Sequence, residues 1–312
     1  MRSDEDSPLE SRAKGRRVPA SGLERWPRRA LPALALALAA LVLSACPARV
    51  VTEEVAEALI SVEEERQLGD RVARDLEEQV ELVDDPEVQQ YVQDLGDRIV
   101  QSAPDAPEGM AYRFQVIDAP DQINAVALPG GYIYVFSGLM LAVEDEAELA
   151  GVLAHEVAHV TRRHIAQQLV AQLGLEVLVG LALGQDPGLV RQLATAVAAQ
   201  GVFTRFSRDH EREADFYGVQ YLSRAGWSPH SYARFFDKLA RAGEAPAVLA
   251  FLQTHPAPSE RAENARALIA QMTRVPTFTG ERRLEHFVSR IETRVGAAPL
   301  ERPAFVTTIP RR

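Results

Sequence analysis

Residues 148–164 read "ELAGVLAHEVAHVTRRH" and place His155 and His159 four residues apart, with Glu156 directly after the first. The flanking "AELAGVLA" and "VAHVTRRHIAQQL" favour a helix. On a helix, i and i+4 share one face, so the two imidazoles point the same way. Two neutral imidazoles at that spacing suit Zn²⁺, and a glutamate one residue round the helix can face a metal-associated water. The pattern also arises by chance on ordinary helices, so the rest of the chain must supply a third ligand.

In one common arrangement that ligand is a histidine six residues after the second, behind a glycine. Ile165 occupies that position, and His164 is one residue short. His164 therefore reads as a helix-surface residue or as a support for a ligand. The segment "SRDHEREADFYGVQYLSRAG" offers Glu211 and Asp215, one helical turn apart. A carboxylate on a second helix, followed by an aspartate that holds a ligand histidine's far nitrogen, completes such a centre. Read in isolation, "DHEREAD" is equally a solvated charged face. Beside the paired histidines, the metal reading is preferred.

The 312 residues carry a formal charge of −10, with 34 basic and 44 acidic residues. The first 45 residues are on balance basic, so the acidity belongs to the remainder, which disfavours nucleic acid as a partner. "RWPRRALPALALALAALVLSAC" has a basic start, an apolar run from Leu31 to Leu43 and small residues before Cys46, the only cysteine. That run has the length of a secretory signal rather than of a membrane-spanning helix. The ending "LSAC" resembles a lipobox, which makes Cys46 the expected site of lipidation and the membrane anchor. Pro47, where an aspartate would favour the inner membrane, favours the outer membrane facing the periplasm. The expected division is 1–45 signal peptide, 46–59 membrane-proximal linker, 60–275 catalytic domain and 276–312 C-terminal helix and tail.

Helical spacing runs through "VTEEVAEALISVEEERQLGDRVARDLEEQVELV" and again after Pro86. "YRFQVIDAP" alternates as a strand, and Pro129-Gly130-Gly131 makes a turn before the β-rich "YIYVF". From Glu144 the chain reads as almost wholly helical. "LVAQLGLEVLVGLALG", Leu169 to Gly184, is too short and too interrupted to span a bilayer, and a buried or lid-forming helix is expected. The fold class is mainly α, an α+β arrangement with one small sheet.

Several ordered motifs together, "NAVALPGGYIYVFSGLM", "EAELAGVLAHEVAHVTRRH", "SRDHEREADFYG", "AGWSP" and "THPAPSER", resemble the zinc metallopeptidase family that contains CAAX prenyl protease and HtpX. The likeness covers about Ile60 to Ile269 and is nearest to the periplasmic branch of beta-barrel assembly-enhancing proteases and related lipoproteins. The resemblance implies a gluzincin endopeptidase with one zinc held by His155, His159 and Glu211, Glu156 as base, and Asp215 behind the ligands. It further implies His255 as a regulatory ligand that caps the zinc at rest and Arg261 as a partner for negative charge; for the tetrahedral oxyanion Arg261 is the first choice of donor, with Tyr217 or Tyr221 behind it. The alternative for these two is a plain loop entering a helix capped by Ser259. "GGYIYVF" is the expected substrate strand, Gly131, Tyr132, Ile133 and Tyr134, oriented by Asn124 and open along one edge; a core strand is the simpler reading. No repeat of 20–50 residues is visible, so partner docking through a repeat array is not carried over.

The implied substrates are unfolded or misassembled envelope proteins, with the outer-membrane assembly machinery as a partner. The rival readings are a non-catalytic envelope chaperone or scaffold and a zinc amidase acting on cell wall. Intact Glu156 argues against the first, since a scaffold has no use for a base.

Overall fold

The computed structural model describes residues 60–171, 206–243 and 245–294. Cys46, the signal segment, the linker and most of the Leu169–Gly184 run lie outside these residues. The first helix, α1 (Val62–Glu77), starts at a capping box: Ser61 Oγ accepts from the Glu64 amide at 3.2 Å, and Glu64 Oε2 accepts from the Ser61 amide at 2.8 Å. The next, α2 (Pro86–Val100), starts at Asp85, with Pro86 in its first turn where no amide donor is needed. α2 lays its apolar face on a small sheet, and α1 lies on the turn that enters one of its strands.

That sheet has three strands, β1 (Arg113–Ile117), β2 (Ala125–Ala127) and β3 (Tyr132–Phe136), in the order β1-β3-β2. β1 runs parallel to β3, pairing Arg113 with Tyr132, and β2 runs antiparallel, pairing Val126 with Tyr134. The expected open strand, Tyr132 to Tyr134, is therefore the central one, paired on both sides and buried throughout. Alternation marks a strand but cannot say which strand the topology puts in the middle.

β1's outer edge is closed by side chains. Gln93 Oε1 accepts from the Phe114 amide at 2.9 Å and Gln89 Oε1 from the Val116 amide at 2.8 Å, while the Val83 amide bonds the Val116 carbonyl. These glutamines from α2 stand in for a fourth strand. β2, the other edge of the sheet, is buried too, and the Ala125 amide is taken by Asn124 Oδ1 at 3.0 Å. Leu128 and Asn124 bond inward to β3, so Ala125 and Ala127 turn their backbone groups outward, where no strand pairs with them among the described residues.

The turn into β3 needs its glycines. Gly130 and Gly131 adopt φ of 77° and 88°, and a Cβ on Gly131 would lie 2.1 Å from the Ala111 carbonyl oxygen. After β3 come α3 (Ser137–Ala142) and α4 (Glu146–Thr161), which is buried along its whole length. Asp145 caps α4 by accepting from the Glu148 amide at 2.8 Å. Its first turn is tied down by buried polar contacts: Glu148 takes Lys238 Nζ at 2.5 Å, and Glu146 accepts from Trp227 Nε1 at 2.9 Å.

Around α4 pack α5 (Arg208–Arg224), α6 (Pro229–Ala242), α7 (Pro246–Thr254), α8 (Pro258–Ala270) and α9 (Glu281–Arg294). α9 packs on the same core through Leu284, Val288 and Ile291, with Phe287 stacked 3.9 Å from Tyr91. No helix among the described residues is long and apolar enough to cross a membrane.

α5 approaches α4 at Gly218, where a Cβ would sit 3.1 Å from the His155 amide nitrogen. The neighbour is backbone and cannot swing aside. Gly218→Val is expected to cost about 2 kcal/mol by overpacking and to weaken metal binding, because it wedges the two site-bearing helices apart. Urea unfolding with a zinc titration checks both effects.

Candidate metal centre

α4 presents His155 and His159 one turn apart toward α5, which brings Glu211 and Asp215 to meet them. Across the gap, His255 terminates α7, and its side chain enters the same space. All five side chains are buried. His155, His159, Glu211 and His255 each offer one donor atom, and the four atoms lie within 4.8 Å of one another.

The separations are those of a coordination shell. His155 Nε2 stands 3.0 Å from His159 Nε2, 3.3 Å from His255 Nδ1 and 3.6 Å from Glu211 Oε2. Glu211 Oε1 is 3.5 Å from His159 Nε2 and 3.0 Å from His255 Nδ1. Donors about 2.0–2.1 Å from a tetrahedral zinc lie roughly 3.3 Å apart. Burial holds His155 and His159 well below the usual histidine range, so their rings are neutral with lone pairs to give. Burial alone would raise Glu211, but His255 and Arg261 outweigh it and keep the carboxyl ionised. Two neutral imidazoles and one carboxylate fit zinc in type and spacing, while His255, which Glu211 and Glu156 push above the usual histidine range against its burial, stands beside them.

Glu156 lies beside this set. Neither of its oxygens has a well-aligned hydrogen-bond partner, although His255 Nε2 is 3.4 Å from Oε1. Burial pushes its carboxyl up to about 7, against the attraction of His255 and with help from the Ala127 amide to the charged form. A buried carboxylate with only the His255 ring and the Ala127 amide beside it, and an acidity near neutrality, is suited to accept and return a proton.

Asp215 stands behind His155, its Oδ1 3.2 Å from Nδ1. Arg261, from α8, bonds Asp215 through Nε at 3.0 Å and Nη2 at 2.6 Å, and its Nη1 is 3.0 Å from Glu211 Oε2. The expected oxyanion donor is thus engaged with two carboxylates and balances their buried charge. Its two reserves are elsewhere. Tyr221 bonds Asp105 at 2.6 Å and Thr161 at 3.0 Å, and Tyr217 lies under Arg162. The tyrosine that does reach the centre is Tyr232 of α6, buried, donating to Asp215 at 2.5 Å and 3.2 Å from His155 Nδ1. The only sequence signal for it is its place shortly after "AGWSP". Asn124 caps the start of β2, its Oδ1 accepting from the Ala125 amide at 3.0 Å. Gly131, Tyr132, Ile133 and Tyr134 are not part of the centre. Tyr132 and Tyr134 instead bond Asp70 and Glu77 of α1, both at 2.7 Å.

Residues 86–269 match the model of peptidase family M48, and the chain belongs to that family. It is 34% identical over 236 residues to the beta-barrel assembly-enhancing protease of Yersinia pestis, covering 72% of this chain and 48% of that one. It is likewise 34% identical to the metalloprotease LoiP of Escherichia coli, over 51% of this chain and 63% of that one, and to the mitochondrial metalloendopeptidase OMA1 of Arabidopsis thaliana, over 50% and 31%. The chain spans about half the length of the beta-barrel assembly-enhancing proteases it matches.

Removing Arg261 strands two buried carboxylates. Arg261→Ala is expected to destabilise the fold by about 3–5 kcal/mol, as breaking a buried charge pair does, and Arg261→Lys to recover only part. Denaturant unfolding of the three proteins measures the difference.

Proposed function

We propose that this family M48 chain is a zinc-dependent endopeptidase that cleaves unfolded or misassembled envelope proteins in the periplasm, anchored by a lipid on Cys46. The observation that carries the catalytic part is the convergence of His155, His159 and Glu211 at tetrahedral spacing, with the buried Glu156 carboxylate alongside. His155, His159 and Glu211 would hold one zinc ion, which supplies a Lewis acid that acidifies a water and polarises a peptide carbonyl. Glu156 receives the proton of the attacking water at a carboxylate oxygen and passes it to the leaving amine. Arg261 and Tyr232 keep Asp215 charged and in place behind His155, so the ligand ring does not turn.

β2 is the strand suited to hold substrate. Its outward backbone groups at Ala125 and Ala127 lie on the Glu156 side of the sheet, buried in this state, with the Ala125 amide on Asn124 Oδ1; an extended peptide would pair with them by displacing what covers them. Such pairing reads backbone rather than side chains, which suits a non-native client. His255 makes the arrangement latent at rest: its Nδ1 faces the ligand atoms and its Nε2 faces Glu156, so it fills the place that water and carbonyl must share.

The lipoprotein-type N-terminus and the name of the Yersinia pestis relative support an outer-membrane role, with β-barrel proteins and their assembly machinery as substrates and partners. The test compares zinc-loaded wild type with Glu156→Gln on casein, an unfolded outer-membrane β-barrel and purified cell wall. Wild type is expected to cut the two proteins and spare the cell wall. The variant should keep its zinc and lose at least about a hundred-fold in rate. Cleavage of cell wall alone, or equal activity in the variant, would overturn the reading. His255→Ala is expected to cut casein faster than wild type at unchanged zinc content; slower cleavage would dismiss latency.

A further inference from the structure

We propose that His164 and Glu213 form a two-residue relay that sets the tautomer of His159 and so makes it a ligand. The inference rests on the zinc reading above and deepens it.

His164 follows His159 by five residues. On one continuous helix they would lie roughly 140° apart around the axis and could not meet. The helix is not continuous. α4 ends at Thr161, and helical structure resumes over 164–171 after a turn in which Arg163 adopts φ of 52°. A left-handed arginine is costly and needs fixing from outside. Glu65 of α1 supplies this, accepting from Arg163 Nη2 at 2.8 Å and Nε at 3.0 Å, while the Ile60 carbonyl takes Nη2 at 2.7 Å; both side chains are buried. The turn swings His164 back over the end of α4, where its Nδ1 lies 3.0 Å from His159 Nδ1.

The direction of the bonds follows from the far end. Glu213 Oε1 accepts from Arg162 Nε at 2.8 Å, and Oε2 is 3.3 Å from His164 Nε2. A carboxylate only accepts, so His164 Nε2 carries the hydrogen. A neutral ring has one N–H, so His164 Nδ1 is the acceptor. His159 Nδ1 must then donate, leaving its Nε2 lone pair bare, and Nε2 is the atom that faces His155 and Glu211. Both rings are held flat: Phe206 stacks 3.8 Å from His159, and His210 stacks 4.4 Å from His164. Asp215 serves His155 directly; His159 is served at one remove. His164 is therefore a positioning residue, with no contact to the reacting atoms.

Two measurements test this on the full chain. Zinc affinity by chelator competition is expected to fall about 10–100-fold in His164→Leu, which fills the space without an acceptor. His164→Asn, whose side-chain oxygen can occupy the place of Nδ1, should stay within a few-fold of wild type. A leucine variant with wild-type affinity and unfolding midpoint would overturn the relay. If that variant does not fold, Glu213→Ala decides at a half-exposed position: a several-fold loss of affinity supports the relay, and none overturns it. Separately, nitrogen-15 spectra of zinc-loaded wild type should show His159 protonated at Nδ1 and His164 at Nε2; a His164 protonated at Nδ1 would overturn it. A wild type that binds no zinc would sink the metal centre itself, a result distinguishable from failure of the relay alone.

Discussion

The close passage of α5 across α4 at Gly218 is the constraint from which the rest of the molecule follows. Gly218 lets the α5 backbone come so near His155 that even a Cβ would crowd it, and at that separation Glu211 reaches the two imidazoles. Bringing so many polar groups into a buried seam is unfavourable unless each is answered. Arg261 answers Glu211 and Asp215, Tyr232 answers Asp215, and the seam becomes a site rather than a defect.

The remaining elements hold that seam in place. Lys238 and Arg234 anchor the acidic start of α4, and Trp227 and Tyr91 converge on Glu146, so the helix cannot slide along its axis. At its other end, the Glu65–Arg163 pair joins α1 to the close of the metal-bearing helix. α1 also packs on the Pro129-Gly130-Gly131 turn that launches β3. One N-terminal helix thus touches both the strand system and the end of α4. Glutamine side chains close β1, and β3 is paired on both sides, which leaves β2 as the unpaired, though buried, edge next to Glu156. Access, charge and register are settled by different parts of the chain acting on one small volume.

Much of this was legible without coordinates. The helices, the strand-forming segments and the glycine turn follow from spacing and turn chemistry, because those signals are local. His155, Glu156 and His159 are legible for the same reason, since a four-residue spacing on a helix fixes their relation. Glu211 and Asp215 looked no different from a solvated face until the ordered motifs around them were taken together. Arg261 was placed near the centre as a partner for negative charge, but which carboxylates its guanidinium would meet was not legible, because a sequence does not say so. Tyr232 carried no signal beyond its place after "AGWSP", and whether β3 is an edge or a core strand stayed open because local pattern is blind to strand order.

The sequence by itself determined the chemistry on offer: two imidazoles and a base on one helix, and a carboxylate pair on another. It determined these because each depends on residues within a turn or two of one another. Only the tertiary structure decided which strand is central and which lies at the edge, which carboxylates Arg261 meets, and that His164 meets His159. Those outcomes depend on contacts between residues far apart in the chain, Glu65 with Arg163 foremost, and no local pattern encodes a left-handed arginine held from another helix.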